Sequence, residues 1–163
     1  TVVDITRQQI AAMLTAVFLG GMLGLERELS HKPLGLRTNI LICLGATLFT
    51  IISIEMGLSF GGSPERMAAP VVGGIGFLGA GAIIRDRGTV QGATTAATIW
   101  LVASVGVACG AGYFVLAATG TVLAFFVLFG LSRIEHRVAT HRARAAGAPH
   151  PPGSRTDRDI DAS

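Results

Sequence analysis

Charged side chains divide this chain into long apolar stretches. No Lys, Arg, Asp or Glu lies between Arg7 and Glu26, so residues 8–25 form an 18-residue uncharged window that includes Ile10, Leu14, Val17 and Phe18. The hydrocarbon core of a bilayer is crossed by about 20 helical residues at ~1.5 Å each, and a window of this length reaches across it. A second window opens after Arg37 and runs to Glu55, a third covers 67–84, and a fourth extends from Gly88 to Ser132. The fourth is roughly twice the length of one span and has to turn back. Gly110-Ala111-Gly112 is the segment that favours the turn. The pattern predicts five helices, near 8–25, 38–57, 67–84, 93–109 and 112–131. The runs are continuously apolar, unlike the short alternating segments of an outer-membrane barrel, and a helix satisfies its own backbone in lipid. The expected fold class is an all-α polytopic membrane bundle. Residues 1–132 form its transmembrane domain, and 133–163 a basic, disordered tail, in which Glu135-His136-Arg137 can continue the fifth helix and Ala148-Pro149-His150-Pro151-Pro152-Gly153 stops regular structure.

Composition agrees with this pattern. Of 163 residues, 50% are hydrophobic and only 14% charged, where a soluble domain carries about a quarter charged residues. The net charge of +3 raises the question of nucleic acid, and the distribution of that charge answers it. Arg7 and Arg66 fall in connections on one side of the predicted bundle. The other eleven Lys and Arg residues, from Arg27, Lys32 and Arg37 through Arg85 and Arg87 to the tail, fall on the opposite side. Positive residues are retained on the cytoplasmic face, so the N-terminus is expected outside and the C-terminal tail in the cytoplasm. The basicity is then a topology signal and a contact with lipid, and no nucleic-acid partner is expected.

Candidate chemistry is sparse. Cys43 and Cys109 lie in apolar runs without metal-ligand spacing, and no Ser-His-acid motif or Walker lysine occurs. Neither an enzyme nor a cofactor is expected. Gly74-Ile75-Gly76-Phe77-Leu78-Gly79 has the GxGxxG form of a dinucleotide loop, but it sits inside an apolar window with no βαβ unit around it. The favoured reading is a smooth helix-packing face. Gly74, Gly76, Gly79 and Gly81 supply it in the third helix, Gly20 and Gly24 in the first, and Gly106 and Gly110 in the fourth. Glu26, Arg27, Glu28, Arg37, Arg85 and Asp86 lie at the inner ends of three helices, where an ion-paired ring is expected to fix helix register. A cation mouth is the competing reading, because carboxylates suit Mg²⁺. Thr94 and Thr95 are expected to hydrogen-bond within the bundle, Glu55 to be a hydrated carboxylate near the outer interface, and the four histidines to be solvated.

Several motifs taken together resemble the membrane domain of the MgtC/SapB family. They are Gly24-Leu25-Glu26-Arg27-Glu28, Gly35-Leu36-Arg37-Thr38, Cys43-Leu44-Gly45-Ala46, the glycine-rich run from Gly74 to Ile83, and Val90-Gln91-Gly92-Ala93-Thr94-Thr95-Ala96-Ala97-Thr98-Ile99-Trp100. The resemblance covers about residues 10–130 and implies a short, membrane-domain-only form of a bacterial inner-membrane protein. It also implies a link to growth at low Mg²⁺ and to virulence, exerted by modulating another membrane protein such as the F-type ATP synthase. The alternative function is a self-associating transporter or channel for Mg²⁺ or another cation.

Overall fold

The computed structural model describes residues 6–61, 65–86 and 89–145, and of 65–70, 84–86, 89, 90 and 131–145 only the backbone. Five helices follow in order: α1 (Arg7–Leu29), α2 (Leu36–Phe60), α3 (Glu65–Gly81), α4 (Ala93–Gly110) and α5 (Phe114–Ala145). Each of the five predicted windows holds one helix. α1, α2 and α4 are long and apolar enough to cross a membrane, and Val71–Gly81 and Phe114–Gly130 are shorter apolar helices.

Local chemistry sets the helix ends. The Thr6 side chain accepts from the backbone N–H of Gln9 while the Gln9 side chain accepts from the Thr6 backbone, a reciprocal cap that starts α1 before its first apolar residue. α2 stops at Gly61, whose φ of 65° is a left-handed conformation that glycine adopts without steric cost. Gly92 stands before α4 at φ 87°, and a side chain there would run into the carbonyl of Ala82.

Two features differ from the sequence expectation. A small antiparallel hairpin, β1 (Ile84–Asp86) with β2 (Thr89–Gln91), joins α3 to α4, with Arg85 paired to Val90. Three-residue strands are too short to produce a readable alternation, which is why the chain reads as helix and loop there. The second feature is the length of α5, which continues as helix to Ala145, beyond the apolar part that ends at Gly130. Residues 146–163 lie outside the described residues, as do the terminal residues before Thr6.

α2 and α4 form the centre. α2 packs chiefly on α1 and α4, α5 packs on α4 and α1, and α3 lies at the edge against α4 and α2. The common core combines Ala16, Leu19 and Leu23 of α1, Cys43 of α2, Val102, Val105 and Cys109 of α4, and Ala117 and Ala124 of α5. Large apolar side chains point outward: Phe18 is 65% exposed, Phe126 69% and Phe77 81%. Small and polar residues point inward, among them Gly20, Gly24, Thr47, Thr50, Ser53, Thr98 and Thr121. A soluble bundle has the opposite distribution. Here the exterior matches hydrocarbon, and the interior relies on close backbone approach and interhelical hydrogen bonds.

Candidate functional site

The closest approaches are made by glycine. A Cβ on Gly20 would stand 2.7 Å from the Cβ of Cys43, and one on Gly24 would stand 2.8 Å from the Cα of Leu36. On the other side of α2, a Cβ on Gly106 would meet the carbonyl oxygen of Cys43, and one on Gly110 would stand 2.7 Å from the carbonyl oxygen of Thr47. α2 is thus clasped between two glycine pairs, one from α1 and one from α4. Thr47 joins α2 to α4 directly: its hydroxyl is placed at 2.9 Å from the carbonyls of both Cys43 and Gly106.

The third glycine set behaves differently. Gly79 is 3.7 Å, by the same measure, from the Cβ of Ala96 on α4, but Gly74, Gly76 and Gly81 have nothing within 4 Å. The expected close-packing face of α3 is therefore not used inside this chain, except at Gly79. The cause is the edge position of α3. Between α2 and α3 a groove of about 680 Å³ remains, lined by Leu41, Gly45, Phe49, Val71, Gly74 and Leu78 among others, almost wholly apolar.

At the end of the bundle where α1 leaves and α2 begins, the charged cluster takes shape. Arg27 is buried, and its Nη2 donates to Oγ1 of Thr95 on α4 at 3.0 Å. Glu26 is buried beside it and accepts from the Ser30 hydroxyl at 2.9 Å. Glu28 is exposed and accepts from the backbone N–H of Leu36 at 2.9 Å. That bond gives α2 the cap that Gly35 cannot provide from a side chain, and it places an anion at the positive end of the helix. Gly35 leaves room for this contact, since a Cβ there would meet the Glu28 carboxylate and displace it from the cap. Arg37 points to the exterior.

Four of the six residues expected to form an ion-paired ring, Glu26, Arg27, Glu28 and Arg37, have described side chains. Among the described residues Glu26, Arg27 and Glu28 make hydrogen bonds to hydroxyl and backbone groups, Glu26 acts on Arg27 through its charge without a hydrogen bond between them, and Arg37 is exposed. Successive residues on a helix diverge by about 100° and cannot face one another, so adjacency in sequence did not produce pairing. The side chains of Arg85 and Asp86 lie outside the described residues. Thr95 is drawn into the site, whereas Thr94 is exposed and contributes its carbonyl to the Thr98 hydroxyl at 2.8 Å.

Asn39 was missed by the sequence reading. It is 1% exposed, and its Nδ2 donates to the carbonyls of Leu34 and Gly35 at 2.6 and 2.9 Å, fastening the α1–α2 loop. The loop needs that support because His31 and Leu34 adopt φ of 50° and 61°. A signal was present in the sequence: Asn39, Cys43, Ala46, Thr47, Thr50 and Ser53 recur at helical spacing and mark the buried stripe of α2. Three buried atoms of this end, Oε2 of Glu26, Nε of Arg27 and Oδ1 of Asn39, make no hydrogen bond among the described residues.

The model of the MgtC family matches residues 13–137, well over half of the chain. This chain belongs to the MgtC family. It is 47% identical over 141 residues to Protein MgtC of Brucella abortus (strain 2308), covering 86% of this chain and 58% of that protein. It is 44% identical over 114 residues to Protein MgtC of Salmonella typhimurium (strain 14028s / SGSC 2262), covering 70% of this chain and 48% of that protein. The chain thus spans about half the length of these relatives. No solved structure matches it. The family match covers the clasp of Gly20, Gly24, Gly106 and Gly110 and the whole Arg27 cluster, so the described site lies inside the shared membrane portion.

Proposed function

We propose that this member of the MgtC family is a non-catalytic modulator of another protein of the bacterial inner membrane. The observation that carries the reading is the uncovered face of α3. Gly74, Gly76 and Gly81 meet nothing within 4 Å, and Gly74 lines the apolar groove against α2. Small residues in a lipid-facing helix allow a neighbouring helix to approach closely, and that approach is the main source of helix association in lipid. The polar residues of the opposite clasp are meanwhile engaged in holding the fold together. In this reading the partner is a transmembrane helix of a larger complex, with the F-type ATP synthase as the candidate implied by the family resemblance, and the context is adaptation to low Mg²⁺ and virulence. The N-terminus lies outside and the basic tail in the cytoplasm.

A second reading, a self-associating transporter of Mg²⁺ or another cation, would place another copy of the chain on the same face. Two measurements separate them. A photo-crosslinker introduced at Gly76 in native membranes is expected to capture a different membrane protein, and purified chain in liposomes is expected to give Mg²⁺ flux no higher than empty vesicles. Crosslinking to itself together with cation flux above that control would reverse the order of the two readings.

A further inference from the structure

At the other end of the bundle, about 27 Å from Arg27 along α1 at ~1.5 Å per residue, the N-terminus of α1, the C-terminal part of α2 and the end of α4 enclose a cavity of about 310 Å³. Glu55, the acidic residue of α2, lines it and is half-buried. Its orientation is fixed by a chain of bonds. The Gln9 side-chain oxygen is engaged by the Thr6 backbone N–H at 2.9 Å, so the Gln9 amide nitrogen has to face away from the cap, and it donates to Oε1 of Glu55 at 2.9 Å. One carboxylate oxygen is thereby held, and no cation among the described residues is paired with the other. Arg7 is exposed and does not line the cavity.

The facing wall is the C-terminal end of α4. The carbonyls of Val107, Ala108 and Cys109 accept from Ala111, Tyr113 and Gly112, while the Gly110 carbonyl accepts no such turn bond. Gly110 lines the cavity, and the end of a helix carries partial negative charge of about half an elementary charge. Gln8 covers the same opening, with its amide nitrogen 3.2 Å from where a Cβ on Gly112 would be. A carboxylate, a helix C-terminus and a neutral amide therefore converge on one space, and the remaining walls, Ala12, Ile51, Ile54 and Leu58, are hydrocarbon.

We propose that this cavity binds a primary alkylammonium group, with the ammonium between Glu55 and the C-terminal end of α4 and the adjoining methylenes against Ile51, Ile54 and Leu58. The donor set selects that class. A small divalent ion held by one carboxylate would keep most of its waters and make no use of the hydrocarbon part of the lining. An ammonium with a short carbon chain uses both halves of the lining, its N–H donors matching a carboxylate oxygen and a helix-end carbonyl with water completing the set. At roughly 30 Å³ per water molecule the cavity has room for about ten waters, so such a group enters with several of them still in place. The same chemistry is found in the ethanolamine headgroup of a phospholipid and in a free soluble amine.

The test uses the full chain in detergent with ethanolamine hydrochloride as the probe, against NaCl and MgCl₂ at equal ionic strength, read by calorimetric titration and thermal midpoint. Saturable ethanolamine binding with a raised midpoint is expected, with tetramethylammonium, which has no N–H, at least tenfold weaker. Glu55→Gln keeps an acceptor for Gln9 and removes the charge, so it should fold and bind ethanolamine at least tenfold more weakly. Gln8→Ala, which breaks no helix-to-helix bond, should weaken binding severalfold and provides the comparison if Glu55→Gln does not fold. Nanodiscs of phosphatidylethanolamine against phosphatidylglycerol then assign the source. Suppression of soluble ethanolamine binding by the first lipid identifies the headgroup, and equal binding in both identifies a free amine. Absence of binding to folded wild type, unchanged affinity in both variants, or Mg²⁺ binding that depends on Glu55 as strongly would overturn the proposal.

Discussion

Arg27 on α1 and Thr95 on α4, 68 positions apart in the sequence, are joined by a buried hydrogen bond of 3.0 Å from Nη2 to Oγ1. A charged donor buried within a bundle has few ways to be satisfied, so this contact fixes how α1 and α4 are rotated toward each other. Arg27→Ala is expected to lower stability in detergent by about 1.5–3 kcal/mol, the range for a hydrogen bond to a charged group. Thr95→Val should cost about 1 kcal/mol. The double variant should lose less than the sum of the two, because each removes the same bond. Arg142→Ala and Arg158→Ala should stay within about 0.5 kcal/mol of wild type. Thermal unfolding of all five proteins checks the ranking, and strictly additive losses for the pair would contradict the contact.

The two kinds of glycine should separate under substitution. Gly106→Leu forces a side chain into the Cys43 carbonyl, and overpacking of this kind costs about 1–3 kcal/mol. In lipid there is no hydrophobic drive between helices to offset it. Gly76→Leu meets open space and should leave the midpoint of the purified chain unchanged while reducing partner crosslinking in native membranes. A Gly76→Leu protein as unstable as Gly106→Leu would show that α3 packs more tightly than described.

Thr47 provides a narrower test of the α2–α4 contact. Its hydroxyl lies between the Cys43 and Gly106 carbonyls, at 2.9 Å from each. Thr47→Val keeps the volume and removes the polar link, so a loss of about 0.6–1.7 kcal/mol is expected. Thr119→Val, on an exposed hydroxyl bonded only to its own helix through the Val115 carbonyl, should be close to neutral. Chemical denaturation in mixed micelles compares them.

The proposed topology rests on the distribution of basic residues and has its own measurement. Cysteines introduced by Thr1→Cys and Ser163→Cys can be probed with an impermeant thiol reagent in intact cells, since the native Cys43 and Cys109 are buried. Labelling is expected for the first variant and none for the second. The opposite result would invert the orientation.

Uncharged windows were sufficient to place five helices, because the cost of a charge in hydrocarbon is large and leaves a mark in the linear order of residues. The turn at Gly110-Ala111-Gly112 was legible because glycine tolerates the left-handed backbone, which Gly112 adopts at φ 81°. What the sequence could not decide was which face of each helix meets which neighbour. A continuously apolar helix has little periodicity to read, so Gly20, Gly76 and Gly106 looked equivalent, and only the packing showed two of them pressed against α2 and the third at an open edge. Partner choice among polar groups was likewise tertiary. Arg27 lies next to Glu26 and Glu28 in sequence, yet it hydrogen-bonds to neither carboxylate and donates instead to Thr95 from another helix. The cavity at Glu55 depends on three separated segments meeting at one end of the bundle, a juxtaposition the order of residues does not encode locally.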